Sequence, residues 1–284
     1  MWLSPDLAWH AAEGTGRRGR PPTFSDAAIQ AVLTLKVLYQ LPLRAAQGMA
    51  GSLIRLAGLD WRVLHYSTLS RRQKNLTVVI PYRPRGGPLH LVIGSTGLKV
   101  LGEGEWKVRR HVADKRRVWR MVHLVIDADR HEIRAVEMTD HGTDDGGQVG
   151  PLLERMDGPV ASFTADGAYD RDDVHAEIMA RHPDAETIVS PRSCAVPSAS
   201  AETIPTARDR HLQAIAERGR MGWQRASGYN WRALVEADVS RWKRVIGDGL
   251  RSQTDGRQAT EVAIAAEVLN HMLDLGRPEY VRIA

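Results

Sequence analysis

Apolar positions along the chain fall into two textures, helical in the first 80 residues and strand-like after it. Ile29, Val32, Leu33, Leu35, Val37 and Leu38 follow Ser25, a side chain suited to capping, and predict a helix to about Tyr39. Pro42 restarts the chain. Leu43, Ala46, Met49, Leu53, Leu56 and Ala57 then predict a second helix closing at Gly58. A third, over 67–75, is expected to start on a serine cap and carries Arg71, Arg72 and Lys74.

A Pro, Gly and Arg-rich stretch at 81–88 punctuates the chain. Beyond it the pattern predicts strands at 89–100, 118–126, 132–139, 160–165 and 186–190, with helices at 148–156 and 171–181. The remainder reads as helices over 207–220, 231–246 and 257–275. Three adjacent strands followed by alternating helices and strands predict an α/β fold, a mixed five-stranded sheet with flanking helices. The expected organisation is a loosely ordered basic segment at 1–23, a small all-α domain at 24–80 and the α/β domain at 88–284.

Charge adds a partner class to this outline. The 284 residues carry 39 Lys and Arg against 34 Asp and Glu, a net charge of +5, with an isoelectric point near 9.5. The excess is mild, but the cations crowd toward the N-terminal part, including Arg17, Arg18, Arg20, Arg71, Arg72 and Lys74. Clustering of this kind suits a phosphate backbone. Three short helices with a basic last one fit a helix-turn-helix-like DNA-binding module, and the Arg-Gly-Arg-Pro core at 18–21 resembles a minor-groove AT-hook. The plain alternatives are a helical subdomain whose basic face is only solvated and, for 18–21, a basic linker. A single cysteine, Cys194, excludes an internal disulfide, and no apolar run approaches membrane-spanning length, so a cytoplasmic protein with no membrane partner is expected.

Candidate chemistry gathers at two places. Asp166 ends a predicted strand in Asp-Gly-Ala-Tyr-Asp, where open α/β sheets place their sites; the alternative is a carboxylate that only caps the next turn. On a single α-helix, Tyr229, Arg232, Glu236 and Lys243 would share an arc of about 60°, with Trp231, Leu234, Val235 and Trp242 packed on the other side. No His or Cys pair has zinc spacing, and no Gly-x-x-x-x-Gly-Lys phosphate loop occurs. His123, on a strand, reads as a buried sheet-face histidine.

Tyr229, Arg232, Glu236 and Lys243, with their spacings, resemble the Tyr-Arg-Glu-Lys signature of bacterial insertion-sequence transposases of the IS4 and IS5 families. The Asp-Gly-Ala-Tyr-Asp at 166–170 is similar to their second-carboxylate motif. Ser-Thr-Gly-Leu-Lys-Val at 95–100 with the Gly-Glu-Gly-Glu-Trp-Lys-Val after it resembles the IS5-type first motif. The resemblance implies an RNase H-like domain whose Asp-Asp-Glu triad holds two Mg²⁺ ions, or Mn²⁺ as a substitute, to hydrolyse and transfer phosphodiesters. It implies Asp166 and Glu236 as catalytic metal ligands and Arg232 and Lys243 on DNA phosphates, with Tyr229 at the DNA end. The implied partners are double-stranded transposon-end and target DNA and further copies of the chain, as a homodimer or larger oligomer at the nucleoid.

One position departs from the family. Where its first motif begins with aspartate, this sequence has Gly94. Two divalent ions about 4 Å apart repel by on the order of 16 kcal/mol at an effective dielectric of about 20, and the missing carboxylate is a principal offset. Asp127, Glu103 and Glu105 are poorly placed substitutes. The expectation is a transposase with impaired cleavage and retained DNA binding, or, alternatively, an inactive DNA-binding derivative that occupies transposon ends or inhibits active copies. Family members usually carry a longer N-terminal lead, so the start at Met1 is expected to be a truncation.

Overall fold

The computed structural model describes residues 6–12, 21–83, 86–101 and 118–276. The chain divides into two compact units, one of residues 1–80, 99–118 and 242–272, the other of residues 81–98, 119–241 and 273–284. Arg18, Arg20, Glu103, Glu105 and the Gly-Glu-Gly-Glu-Trp-Lys-Val stretch lie outside the described residues.

The second unit is built on a mixed sheet. Its strands are β1 (Leu89–Val100), β2 (Trp119–Asp127), β3 (Glu132–Asp140), β4 (Val160–Ala165) and β5 (Glu186–Val189), in the order β3-β2-β1-β4-β5. β2 and β3 form an antiparallel hairpin, whereas β4 is parallel to both β1 and β5. Apolar runs explain the centre. Leu91 and Ile93 of β1 and Phe163 and Ala165 of β4 are all buried in one core with Val149, Leu152, Val174 and Ile178. Those last four come from the short helix α4 (Val149–Leu153) and from α5 (Asp172–Arg181). Helix α6 (Ala207–Ala226) starts on a Thr206 and Asp209 capping box and bends at Gly219, which has φ 70°. Helix α7 spans Ala233–Val245.

The first unit carries α1 (Asp26–Leu38), α2 (Leu43–Leu56), α3 (Tyr66–Gln73), the two-residue strand β6 (Gly249–Leu250) and α8 (Asp255–Asp274). Ser25 caps α1 as expected, its side chain accepting from the Ala28 N–H at 3.0 Å. A buried polar network ties α1 to α8. Lys36 Nζ lies 3.1 Å from Glu261 Oε2 and Thr34 Oγ1 donates to Glu267 Oε2 at 2.9 Å, all four residues being buried. Glu261 also accepts the backbone N–H groups of Arg251 and Ser252, each at 2.9 Å.

Burial pushes the Glu267 carboxyl up to about 7, against the hydrogen bond from Thr34. His271 Nε2 sits 3.3 Å from its other oxygen. A raised carboxyl holds its proton in the folded chain after the unfolded chain has lost it. Its contribution is therefore full below the ordinary glutamate range and is lost as pH rises through about 7. Urea unfolding should show stability falling by up to about 3 kcal/mol over that window, and Glu267→Gln should flatten the fall.

Several expectations are corrected. The sheet has six strands, not five, because β6 pairs in parallel with Lys99 and Val100 at the end of β1; two residues are too short to show a period-two pattern. Helix α3 is capped by His65, whose Nδ1 accepts from the Ser67 N–H, rather than by a serine. The helix predicted over 207–220 runs on to Ala226 through the Gly219 bend. The single helix drawn from Tyr229 is broken: Tyr229–Arg232 is a 3₁₀ turn entered from Gly228 in the left-handed region at φ 72°. Trp231 is consequently 40 % exposed and packs edge-on against His90 at 5.0 Å instead of entering the core.

Candidate active site

Three positions converge on one side of the sheet. In the parallel pairing of β1 with β4, Leu91 faces Phe163 and Val92 faces Thr164. Asp166 follows directly on Ala165, the last residue of β4. Asp166 caps the 3₁₀ turn Gly167–Tyr169, its Oδ1 accepting the Ala168 N–H at 2.9 Å. The capping alternative is thus realised by one oxygen, while the other is directed elsewhere: Arg232 Nη2 donates to Asp166 Oδ2 at 3.0 Å. The same guanidinium pairs through Nη1 with Glu236 Oε1. Burial lowers the Arg232 pKa, but the hydrogen bonds to Asp166 and Glu236 outweigh it and leave it raised.

The two carboxylates therefore share one cation, though weakly. Glu236 is 62 % exposed at its side chain, and an exposed i,i+4 pair is worth only about 0.3–0.5 kcal/mol.

The third position is closed by packing. A Cβ built on Gly94 would lie 2.9 Å from Val235 Cγ2 and 3.0 Å from its Cγ1. Val235, buried on α7, fills the space that a side chain at 94 would occupy. Its short branched chain has little freedom to move aside.

Among the described residues, the acids nearest this part of β1 are engaged elsewhere. Side chains alternate along a strand, so Ser95 points away from Gly94's face, and its Oγ donates to Asp145 Oδ2 at 3.0 Å. On that same far side His123 is fully buried, with Nδ1 3.3 Å from Asp145 Oδ1 and Nε2 2.9 Å from Thr139 Oγ1. Burial depresses its pKa against the attraction of Asp145. Asp127 is buried at its turn and accepts the Asp129 N–H. Among the described residues, no group of three His, Cys, Asp or Glu is arranged to hold a metal ion. Among the described residues, then, two carboxylates share one guanidinium and no third donor stands with them, an arrangement that does not fit a two-cation centre.

The other predicted residues are dispersed. Tyr229 rests on Trp223 with ring centroids 4.9 Å apart, and burial raises its phenol pKa against its hydrogen bond to Ser190. Lys243 is exposed in the last turn of α7, in the part that belongs with the first unit. On α3, Arg71 and Lys74 are exposed, whereas Arg72 is turned inward, paired with Asp26 and donating to the Phe24 carbonyl at 3.3 Å.

Two contacts had not been anticipated. Val235 was assigned to the packed side of its helix, but no sequence signal pairs it with Gly94. Asp238 is buried on α7 beside Arg241 at 3.0 Å, and desolvation raises its pKa; its i,i+3 spacing to Arg241 was the available clue.

A family profile described as "Transposase DDE domain" matches residues 85–273, two thirds of the chain, and a second of the same description matches residues 1–103. The chain belongs to the transposase DDE domain family. Members of this family of DNA-transposing enzymes generally use divalent metal ions. Among solved structures, this transposase-family chain is similar to the Mos1 transposase paired-end complex with left transposon end, at 14 % identity over 92 % of this chain and 80 % of that one, with a TM-score of 0.24. It is also similar to the Mos1 mariner paired end complex with Mn, at 12 % identity over 92 % and 82 %, again with a TM-score of 0.24. Likeness at that score carries no argument about the fold, partner or metal of this transposase-family chain. None of its described helices is long and apolar enough to cross a membrane.

Proposed function

We propose that the chain is an IS5-type transposase by descent that still binds transposon-end DNA and is severely impaired in phosphodiester cleavage and strand transfer. The observation that carries the impairment is Val235 packed where a side chain at position 94 would stand. The strand order β3-β2-β1-β4-β5, with Asp166 directly after β4 and Gly94 of β1 facing Val235, the neighbour of Glu236, supports an RNase H-like catalytic domain. In that reading Asp166 and Glu236 are the second and third triad acids.

Arg232 holds the two acids apart from one another's charge, and its planar fork would pass to a DNA phosphate when DNA displaces the exposed Glu236 contact. Helices α1 to α3 are the helix-turn-helix-like module, with exposed Arg71 and Lys74 on the DNA side. Arg18, Arg20, Tyr229 and Lys243 complete the proposed contacts. The partner is double-stranded DNA, bound by a homodimer or larger assembly.

A second reading, a catalytically inactive derivative that occupies ends or inhibits active copies, is favoured by the same closed position at Gly94. Calorimetric titration with Mn²⁺ separates an intact centre from an impaired one. The expected result is one weak ion or none per chain, abolished in Asp166→Asn. Two ions per chain, bound tightly, would show the centre to be complete and sink the impairment.

A further inference from the structure

We propose that a cavity of about 320 Å³ in the first unit is a seat for one phosphate of the DNA backbone, held by Arg251, Arg257 and the N-terminus of α2. It is separate from the residues assigned to DNA above and rests on the DNA-binding reading.

The cavity opens where Pro42 and Leu43 start α2, Ser70 and Gln73 pass on α3, Arg251 follows β6 and Arg257 stands in the first turn of α8. Helix α2 has Pro42 at its N-cap with no side-chain hydrogen bond to its first turn and no acidic residue there. Its first N–H groups and the positive end of its dipole are left for an anion from outside.

Both arginines are set in place by their neighbours. Arg257 donates through Nε to the Ser70 carbonyl at 3.0 Å, and among the described residues its two Nη nitrogens have no protein acceptor. Arg251 stands on backbone that Glu261 pins from below, and its Nη2 donates to Gln40 Oε1 at 3.0 Å. Gln40 adopts φ 52°, a left-handed conformation unusual for its type, and its Nε2 donates in turn to the Ile246 carbonyl at 3.0 Å. Backbone strain of this kind is kept only where its surroundings hold it. Among the described residues no acidic residue lines the cavity, and both oxygens of the buried Glu261 are taken by Lys36 and two backbone N–H groups. What faces outward is thus two guanidinium groups and an uncapped helix end, a constellation for a single phosphate. The nearness of Ser70, one residue from the exposed Arg71, makes the DNA backbone the source of that phosphate.

The test is salt-dependent binding of the full chain to a fluorescein-labelled DNA duplex, read by anisotropy. One lost phosphate contact lowers the slope of log K against log salt by about 0.9. Arg251→Ala/Arg257→Ala should lose that much, and Arg251→Lys/Arg257→Lys should keep the slope. Should the double alanine variant unfold by circular dichroism, Arg251→Ala alone, whose side chain is exposed, should still reduce the slope. A steep slope in the unaltered chain that neither alanine variant changes overturns the phosphate seat and leaves DNA binding standing. No binding by the unaltered chain at low salt overturns the DNA-binding reading and the seat together.

Discussion

The double variant Gly94→Asp/Val235→Ala is expected to cut transposon-end DNA in Mn²⁺ at least about 100-fold faster than the unaltered chain, the scale on which even outer partners of a metal site are felt. Gly94→Asp alone should gain far less. The reason is steric before it is electrostatic. A Cβ at position 94 arrives under 3.0 Å from a Val235 methyl, and overpacking of this kind costs about 1–3 kcal/mol and displaces whatever it meets. The helix bearing Val235 also bears Glu236, so pushing it away from the sheet moves Glu236, the proposed third acid, as a carboxylate is placed at position 94. Trimming Val235 removes the conflict. Equal rates for the single and double variants would show that Val235 is not the obstacle, and no gain in either would locate the damage elsewhere.

The largest loss of stability is expected from Glu261→Ala, about 3–5 kcal/mol by urea unfolding. That change leaves the Lys36 ammonium buried, with Ser252 Oγ at 3.4 Å as its remaining partner, and strips the acceptor from the Arg251 and Ser252 N–H groups. Removing both charges while keeping an acceptor should cost much less. Lys36→Met/Glu261→Gln is expected to recover most of the loss, because the attraction of a buried pair roughly offsets its desolvation. A double variant as unstable as Glu261→Ala would mean that the charges themselves hold α1 on α8.

The contrast between these two predictions follows what the sequence could carry. The bounds of β1 and β4 were legible because the sequence punctuates them, with the Pro, Gly and Arg-rich stretch at 81–88 ahead of β1 and Asp166-Gly167 directly after β4. Asp166, Arg232 and Glu236 were singled out together in the sequence, and the structure brings them together, with Arg232 against both carboxylates. What stayed hidden was set by contacts distant in the chain. Lys36, Glu261 and Glu267 sit on helices where charged residues ordinarily read as a solvated face, and only their mutual burial reveals the network. The turn at Tyr229 depends on the backbone of Gly228, which a helical wheel does not represent. Val235 against Gly94 joins residues 141 apart, with no polar residue to mark the pair. The periodicities reported elements and faces; they carried no information on which faces meet.

Bound but uncut DNA is the behaviour expected of the unaltered chain. The direct measurement is incubation of the unaltered chain with labelled duplex bearing the ends that flank its own coding sequence, with Mg²⁺ and separately Mn²⁺, followed on native and denaturing gels. The expected result is a shifted complex on the native gel and intact strands on the denaturing one. Efficient nicking at the element's 3′ ends by the unaltered chain would contradict the account, whatever its affinity.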